Sequence, residues 1–251
     1  MNLLSRYVGR GFWRRLRKRV LPNLWVLATT WRIRKCRCCE RLALHLQFGP
    51  DEEYCKCVRC TANLRYEMQA EYLRDHYDLG ALDILELDPN SCLRPILSRA
   101  RSYVRTYFRF GHAVGARRAD GSLMQDITSL TFDDASVDLI VSSDVLEHVP
   151  DLEAAFRESF RVLRPGGSHV FTVPFEPSTV RRAVLEQGTV RHLVTPPEYH
   201  ADPLDPGGIL AFWHLGPDLQ DAFGDSGLVF ELVKGPEGRR RSVVWRARKA
   251  I

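Results

Sequence analysis

Seven cysteines stand at positions 36, 38, 39, 55, 57, 60 and 92, six of them within 25 residues. Cys36 with Cys39, and Cys57 with Cys60, form two Cys-x-x-Cys pairs with seventeen residues between them. Tetrahedral zinc takes four thiolates, and a two-residue gap lets one turn present two of them. The spacing predicts a four-cysteine zinc ribbon over residues 35–61, two knuckles joined by a hairpin. Gly49, Pro50 and Asp51 mark the intervening turn. Four protein ligands leave no open position, so this zinc would be structural. In so small a module it would supply on the order of 10 kcal/mol of folding energy. Cys38 and Cys55 each lie beside a knuckle and are alternative ligands. The competing reading is a metal-free cluster of buried, inert thiols. An odd number of clustered cysteines fits reduced thiols better than a secreted disulfide framework. The expected compartment is therefore the cytoplasm.

A second group of reactive side chains is Asp144 with Glu147 and His148. Histidine titrates near pH 6.5 and serves as a general base where it can reach a substrate proton. The bland reading is that Glu147 and His148 cap and brace their own loop. Further on, Glu198, Tyr199 and His200 fall in a stretch, 177–213, whose second half is rich in Pro and Gly. A long irregular segment in a compact domain is usually functional, and this one is placed to be a substrate lid. His192 and His214 read as structural, and Phe212 and Trp213 as packing. His76 reads as an ordinary helix residue.

These groups need elements to hold them. Helical apolar spacing over 62–78 predicts a helix leading out of the ribbon. Leu82–Leu87, Ser102–Tyr107, Val137–Val141, Ser168–Val173, Leu228–Val233 and Ser242–Arg246 read as strands. Pro95–Ala100, Leu152–Leu163 and Asp218–Phe223 read as helices. In the second of these, Leu152, Ala155, Phe156, Phe160 and Leu163 share one face. Pro165-Gly166-Gly167 is expected to stop it. Such alternation implies a Rossmann-like α/β fold with a doubly wound, mostly parallel sheet and ligands outside the strand C-termini.

Several stretches carry a family likeness. Asp83-Ile84-Leu85-Glu86-Leu87-Asp88-Pro89-Asn90, Gln125-Asp126-Ile127, Phe132 through His148, and Arg161-Val162-Leu163-Arg164-Pro165-Gly166-Gly167 together resemble a class I S-adenosylmethionine-dependent methyltransferase of the type 11 kind. The resemblance covers roughly residues 36–233 and is strongest at 132–174. It implies an α/β domain over 62–251 that transfers a methyl group from S-adenosylmethionine to an oxygen or nitrogen. It implies cofactor contacts at Glu86, Asp88, Asn90, Thr106, Asp126 and Ser143, and catalytic roles for Asp144 and His148. In the family, backbone N–H groups after the first strand approach the methionine carboxylate at a helix N-terminus. Asp126 would then accept from the adenine amine. The chain departs from the pattern twice. Asp88 and Asn90 replace the two glycines of the first motif. Arg105 or Thr106 stands where an acid usually holds the ribose, and a hydroxyl bond is weaker than a charged one.

Composition bounds the alternatives. The chain has 251 residues, 45% hydrophobic and 27% charged, with a net charge of +5. These values exclude collagen, coiled coil and general disorder. No apolar run is long enough for a transmembrane helix. The charge is segregated: residues 1–39 hold eleven Lys or Arg and no acid, and 239–251 hold six more. All 31 acids lie in 40–238, against nineteen bases. The body is therefore acidic and only its ends are basic. Residues 1–34 form a basic arm in which Leu3, Leu4, Tyr7, Val8 and Phe12 recur at helical spacing. Basic Arg6–Arg19 followed by apolar Val20–Trp31 resembles a signal peptide, but Pro22 and Asn23 interrupt the apolar part and no clear cleavage site follows. An organellar transit peptide is the other targeting reading. A basic arm suits an anionic partner, RNA or a membrane surface. The methyl acceptor is open among small molecules, glycans and RNA. The alternative function is a non-catalytic scaffold that binds nucleic acid or a partner through ribbon and arm.

Overall fold

The computed structural model describes residues 31–48, 54–200, 207–235 and 242–251. The arm up to residue 30, the turn Gly49-Pro50-Asp51 and Arg239 to Arg241 lie outside the described residues. The chain divides into two compact units, Met1–Leu79 with Ser91–Arg99, and Gly80–Asn90 with Ala100–Ile251.

In the first unit, β1 (Trp31–Lys35), β2 (Leu42–Gln47) and β3 (Cys55–Cys57) form an antiparallel sheet in that order. Helix α1 (Leu64–His76) follows. Asn63 caps it, its side-chain oxygen accepting from Tyr66 N at 3.3 Å. Arg74 and His76 in the last turn suit the negative end of the helix dipole. Its buried side holds Met68, Ala70, Tyr72 and Leu73, but also Glu67 and Gln69. The His76 ring stacks on Tyr72 at 4.3 Å, as expected of a helix residue.

The second unit is built on a seven-stranded sheet. Its members are β4 (Asp83–Glu86), β5 (Ser102–Tyr107), β6 (Leu123–Met124), β7 (Val137–Ser143), β8 (Leu163–Pro174), β15 (Leu228–Lys234) and β16 (Ser242–Lys249). The spatial order is β15-β16-β8-β7-β4-β5-β6. Ladders from β6 through β8 are parallel, and β16 runs antiparallel to both its neighbours. From β4 the chain moves outward through β5 and β6, then returns to β4's other side with β7. The order therefore reverses between β4 and β7, the place where doubly wound sheets bind ligands. The Rossmann-like fold class holds. Its winding is lighter than expected, because residues 108–122 and 125–136 cross between strands as loops.

Helix α3 (Leu152–Val162) connects β7 to β8, capped by Asp151 accepting from Ala154 N at 2.9 Å. Its inward face buries Leu152, Ala155, Phe156 and Val162. Phe156 is fully buried among Phe171, Phe223 and Phe230, with ring centroids 6.0, 5.1 and 4.8 Å away. Phe223 belongs to α4 (Leu219–Phe223). The expected stop at Pro165-Gly166-Gly167 is corrected. These residues lie inside β8, which begins directly after the helix. Register against β7 jumps from Val137↔Leu163 to Leu139↔Ser168, so the three form a bulge. Gly166 sits at φ +80°, and a Cβ on Gly167 would come within 2.9 Å of the Asp138 and Arg164 carbonyl oxygens.

The two ends of the sheet carry charge differently. At the N-terminal ends of β4 and β7, Asp83 and Asp138 are clamped by Arg101 and Arg164 at 2.7–3.1 Å. The hydrogen bond from Arg101 pulls the Asp83 carboxyl down to about 2. This end is structural. The basic C-terminal strand is likewise partly absorbed by the fold. Arg246 pairs with Glu231, and Lys249 Nζ donates to the Phe160 and Leu163 carbonyls at 2.8 Å.

Candidate functional site

In the first unit, Cys36, Cys39, Cys57 and Cys60 bring their sulfurs within 4.8 Å of one another. Cys38 and Cys55 stand outside this group of four. The knuckles share one backbone design. Cys36 N donates to Arg41 O and Glu40 N to Cys36 O, both at 2.9 Å. Cys57 N donates to Ala62 O at 2.9 Å and Thr61 N to Cys57 O at 2.8 Å. Each turn is closed by a residue at positive φ, Glu40 at 55° and Thr61 at 67°. The thiols cannot ionise together. Hydrogen bonds from Cys38, Cys57 and Cys60 drive Cys36 down, while Cys36 and then Cys57 drive Cys60 far above the thiol range. A divalent cation resolves that conflict, so the sulfur set fits zinc.

The sequence reading missed the support behind this cluster. His45 is buried, with Nδ1 at 3.1 Å from Ala43 O and Nε2 at 3.3 Å from Glu67 Oε1. Burial would lower its pKa, but hydrogen bonding with Cys36 and Glu67 pushes it up to about 9. Glu67 also pairs with Arg34 at 2.6 Å and accepts from Arg37 N.

In the second unit, the sequence-predicted cofactor residues lie at or just beyond the C-terminal ends of β4 to β7. Glu86 ends β4, is buried and accepts from Tyr103 Oη. Asp88 and Asn90 lie in the loop beyond it, where Asp88 Oδ1 accepts from Asn90 N at 2.8 Å. A side-chain turn thus shapes the loop that glycines shape elsewhere. Arg105 does not project as a free cation. It donates to Pro89 O at 3.1 Å and to Asp120 O. Thr106 is buried, and its hydroxyl donates to Glu86 O at 3.0 Å. Asp126 follows β6, its Oδ1 accepting from Thr128 N at 2.9 Å and Thr128 Oγ1 at 2.7 Å. Ser143 closes β7 and is buried. One expectation is corrected. No helix opens directly after β4, and the next one, α2 (Arg94–Leu97), is four residues long and belongs to the first unit.

Asp144 sits at φ +50°, a left-handed conformation that is costly without a glycine. Its N–H donates to Thr172 O at 3.0 Å and its Oδ1 accepts from Thr172 Oγ1 at 3.2 Å. His148, in a 3₁₀ turn from Leu146 to His148, points its Nδ1 at Leu210 O, 2.9 Å away.

Among its described residues the 177–213 stretch is largely short strands. It contains β9 (Val180–Arg181), a hairpin of β10 (Ala183–Glu186) and β11 (Thr189–His192), and short strands β12 (Tyr199–His200), β13 (Ile209–Leu210) and β14 (Trp213–His214). Ala183, Phe212 and Trp213 enter the core. Phe212 N donates to Glu147 O at 2.8 Å, which fastens the stretch to the loop after β7. Residues 201–206 of it are outside the described residues.

This fastening assembles a cluster that the sequence did not reveal. His200 Nδ1 and His148 Nε2 lie 3.7 and 3.8 Å from Glu147 Oε1. Glu198 joins His200 Nε2 at 3.2 Å to His214 Nε2 at 2.7 Å. Burial would raise the Glu198 pKa, but the bonds from His214 and His200 hold it down. His214, expected to be merely structural, is thus part of the cluster, while His192 is exposed on its hairpin.

Residues 109–171, from the loop after β5 into β8, match the family model of a methyltransferase domain. The matched stretch contains Asp126, Ser143, Asp144, Glu147 and His148. Phosphoethanolamine N-methyltransferase of Triticum aestivum is 33% identical over 84 residues, 32% of this chain and 17% of that protein. Sarcosine/dimethylglycine N-methyltransferase of Halorhodospira halochloris is 38% identical over 72 residues, 27% of this chain and 26% of that protein. The chain thus spans between 17% and 26% of the length of these two curated relatives. An S-adenosylmethionine-dependent methyltransferase from Mesorhizobium loti superposes at a TM-score of 0.47 with 18% identity, over 72% of this chain and 97% of that one. Among the described residues no helix is long and apolar enough to cross a membrane.

Proposed function

From the premise that the α/β body of this chain is a class I methyltransferase domain, we propose that the protein transfers a methyl group from S-adenosylmethionine to an oxygen or nitrogen acceptor. The observation that carries this reading is the alignment of Glu86, Thr106, Asp126 and Ser143 at the C-terminal strand ends beside the order reversal. The altered first motif fits the cofactor. Asp88 Oδ1 accepts from Asn90 N at 2.8 Å, which shapes the loop where the cofactor's amino-acid end would lie. Glu86, Asp88 and Asn90 would meet the amino-acid end, Thr106 the ribose, Asp126 the adenine amine, and Ser143 the space beside the methyl group.

The bound cofactor supplies an electrophilic sulfonium methyl. The protein's part is to align the acceptor and hold its proton, because in-line displacement depends on positioning. Asp144 and His148 stand directly after β7, on the acceptor side. The fixed Nδ1 of His148 turns its Nε2 toward the Glu147–His200 cluster, and the acceptor would lie beside the 177–213 stretch. Zinc at the four cysteines holds the first unit together, and to residues 1–34 we assign an anionic partner, RNA or a membrane surface. The acceptor is a small molecule, a glycan or RNA.

Calorimetric titration of the full chain with S-adenosylmethionine and S-adenosylhomocysteine tests the enzyme reading. Binding of both, weakened in Asp126→Ala, supports it. No heat at millimolar ligand would leave the scaffold reading in its place.

A further inference from the structure

We propose that Glu147, His148 and His200 form a binding site for a divalent transition-metal ion of the zinc class, separate from the four-cysteine cluster. The side chain of Glu147 is 2% exposed. Neither of its carboxylate oxygens accepts a hydrogen bond from a described residue. A buried carboxylate without hydrogen bonds is costly and calls for a cation.

The cations at hand are imidazoles, and both turn the wrong atom toward Glu147 to satisfy it as neutral rings. His148 spends its Nδ1–H on Leu210 O, which leaves Nε2 as the nitrogen 3.8 Å from Glu147 Oε1. His200 spends its Nε2–H on Glu198 Oε1, which leaves Nδ1 as the nitrogen 3.7 Å away. Two lone pairs therefore converge on a carboxylate, and one ligand atom from each residue lies within 4.8 Å of the other two. Zinc–nitrogen and zinc–oxygen bonds of about 2.0–2.2 Å place such an ion among donors so separated.

The surroundings have the form of a metal site's outer shell. A backbone carbonyl fixes the tautomer of His148 and a carboxylate fixes that of His200, the usual partners of ligating histidines. Glu198 is itself held by His214 at 2.7 Å, with Arg182 Nε at 3.9 Å. Backbone bonds, Phe212 N to Glu147 O and Ala211 N to Glu198 O, lock the strands that carry the ligands. A cavity of about 10 Å³, the size of one water, opens beside Glu147, His200 and His214. Two imidazoles and one carboxylate suit zinc, iron, cobalt or manganese, whereas magnesium and calcium prefer oxygen alone. Three protein ligands leave a coordination position open, which is the arrangement of a reactive metal and not of a structural one.

The proposal shares His148 with the proposed acceptor side, but its test reads metal content, so its failure and the failure of the methyl-transfer reading are distinguishable. The full chain, loaded with Co²⁺ and freed of excess ion, is compared with Glu147→Gln, His200→Ala, Glu198→Gln and Cys57→Ser. We expect Glu147→Gln and His200→Ala each to lose about one equivalent of metal while keeping the intense sulfur-to-cobalt absorption of the cysteine site. Cys57→Ser should lose that absorption and keep a weak, nitrogen- and oxygen-ligated cobalt spectrum. Glu198→Gln should weaken the second site by roughly 10–100-fold, as outer-shell changes do. Equal metal content in the wild type and a folded Glu147→Gln would overturn the proposal and leave a proton between Glu147 and His200. Should Glu147→Gln fail to fold, the Cys57→Ser spectrum decides, and the absence of any nitrogen- and oxygen-ligated cobalt there has the same consequence.

Discussion

The two units hold themselves together by different means. The first holds a three-stranded sheet, the helices α1 and α2 and a group of four sulfurs, and keeps Glu67 and Gln69 on the buried side of α1. The second packs Phe156, Phe171, Phe223 and Phe230 against a seven-stranded sheet. The first unit thus buries polar groups beside apolar ones such as Leu46, Tyr72 and Leu73. In the second, apolar burial does the fastening, and polar groups gather at the C-terminal strand ends. The cysteine cluster gathers four candidate ligand atoms, and the Glu147 cluster three.

The largest expected effect breaks the first unit alone. Removing zinc with a chelator, or changing Cys57 to Ser, should withdraw stabilisation on the order of 10 kcal/mol from it. Far-ultraviolet dichroism and proteolysis would show loss of residues 31–79, while the melting of the α/β body moves little. A single cooperative loss of both units would erase the distinction.

The reverse experiment acts on the aromatic core. Phe156→Ala should cost the body about 3–5 kcal/mol, because a fully buried ring leaves a cavity. Chemical denaturation would register that loss, and the cobalt spectrum of the cysteine site would be unchanged.

A third prediction concerns pH. His169 is fully buried between Ser142 Oγ at 3.0 Å and Ser159 Oγ at 3.2 Å, and burial pushes its pKa down to about 3. The unfolded chain takes up the proton near pH 6.5 and the folded one does not. Its contribution is thus intact above pH 6.5 and is lost as the pH falls toward 3. Between pH 6.5 and 4.5 the body should lose about 2.5 kcal/mol by this route. Denaturation of His169→Asn, which cannot titrate, should show a correspondingly shallower slope over that interval. An equal slope in both proteins would dismiss the explanation.

The smallest effect is at the cofactor end. Asp126→Ala should weaken S-adenosylhomocysteine by about tenfold, near 1.5 kcal/mol, the worth of one hydrogen bond to a charged group. The melting temperature of the first unit should not change.

These contrasts also explain what the sequence made legible. Ligands three residues apart in one turn, such as Cys36 and Cys39, are set by local geometry and can be read directly. Strands such as Ser102–Tyr107 and the amphipathic α3 follow from periodicity, and the observed elements agree within a few residues. The Glu147 cluster was not readable in this way. Its members come from residues 147, 148, 198, 200 and 214, and they meet through long-range bonds such as Phe212 N to Glu147 O and His148 Nδ1 to Leu210 O. His45 and Glu67 escaped notice for the same reason, since only the folding of β2 and α1 brings them to Cys36. Pro165-Gly166-Gly167 misled in the opposite sense. Turn-forming residues mark an irregularity in the chain, and whether it ends an element or bulges within one depends on the neighbouring strand.

Hydrogen–deuterium exchange on the full chain tests the division of labour most directly, run with and without S-adenosylhomocysteine and with and without a zinc chelator. The ligand should protect the C-terminal ends of β4 to β7 and leave residues 31–79 unaffected, and the chelator should do the opposite. Ligand protection absent from residues 86–90, 106, 126 and 143, or a chelator effect spread evenly over both units, would contradict the account.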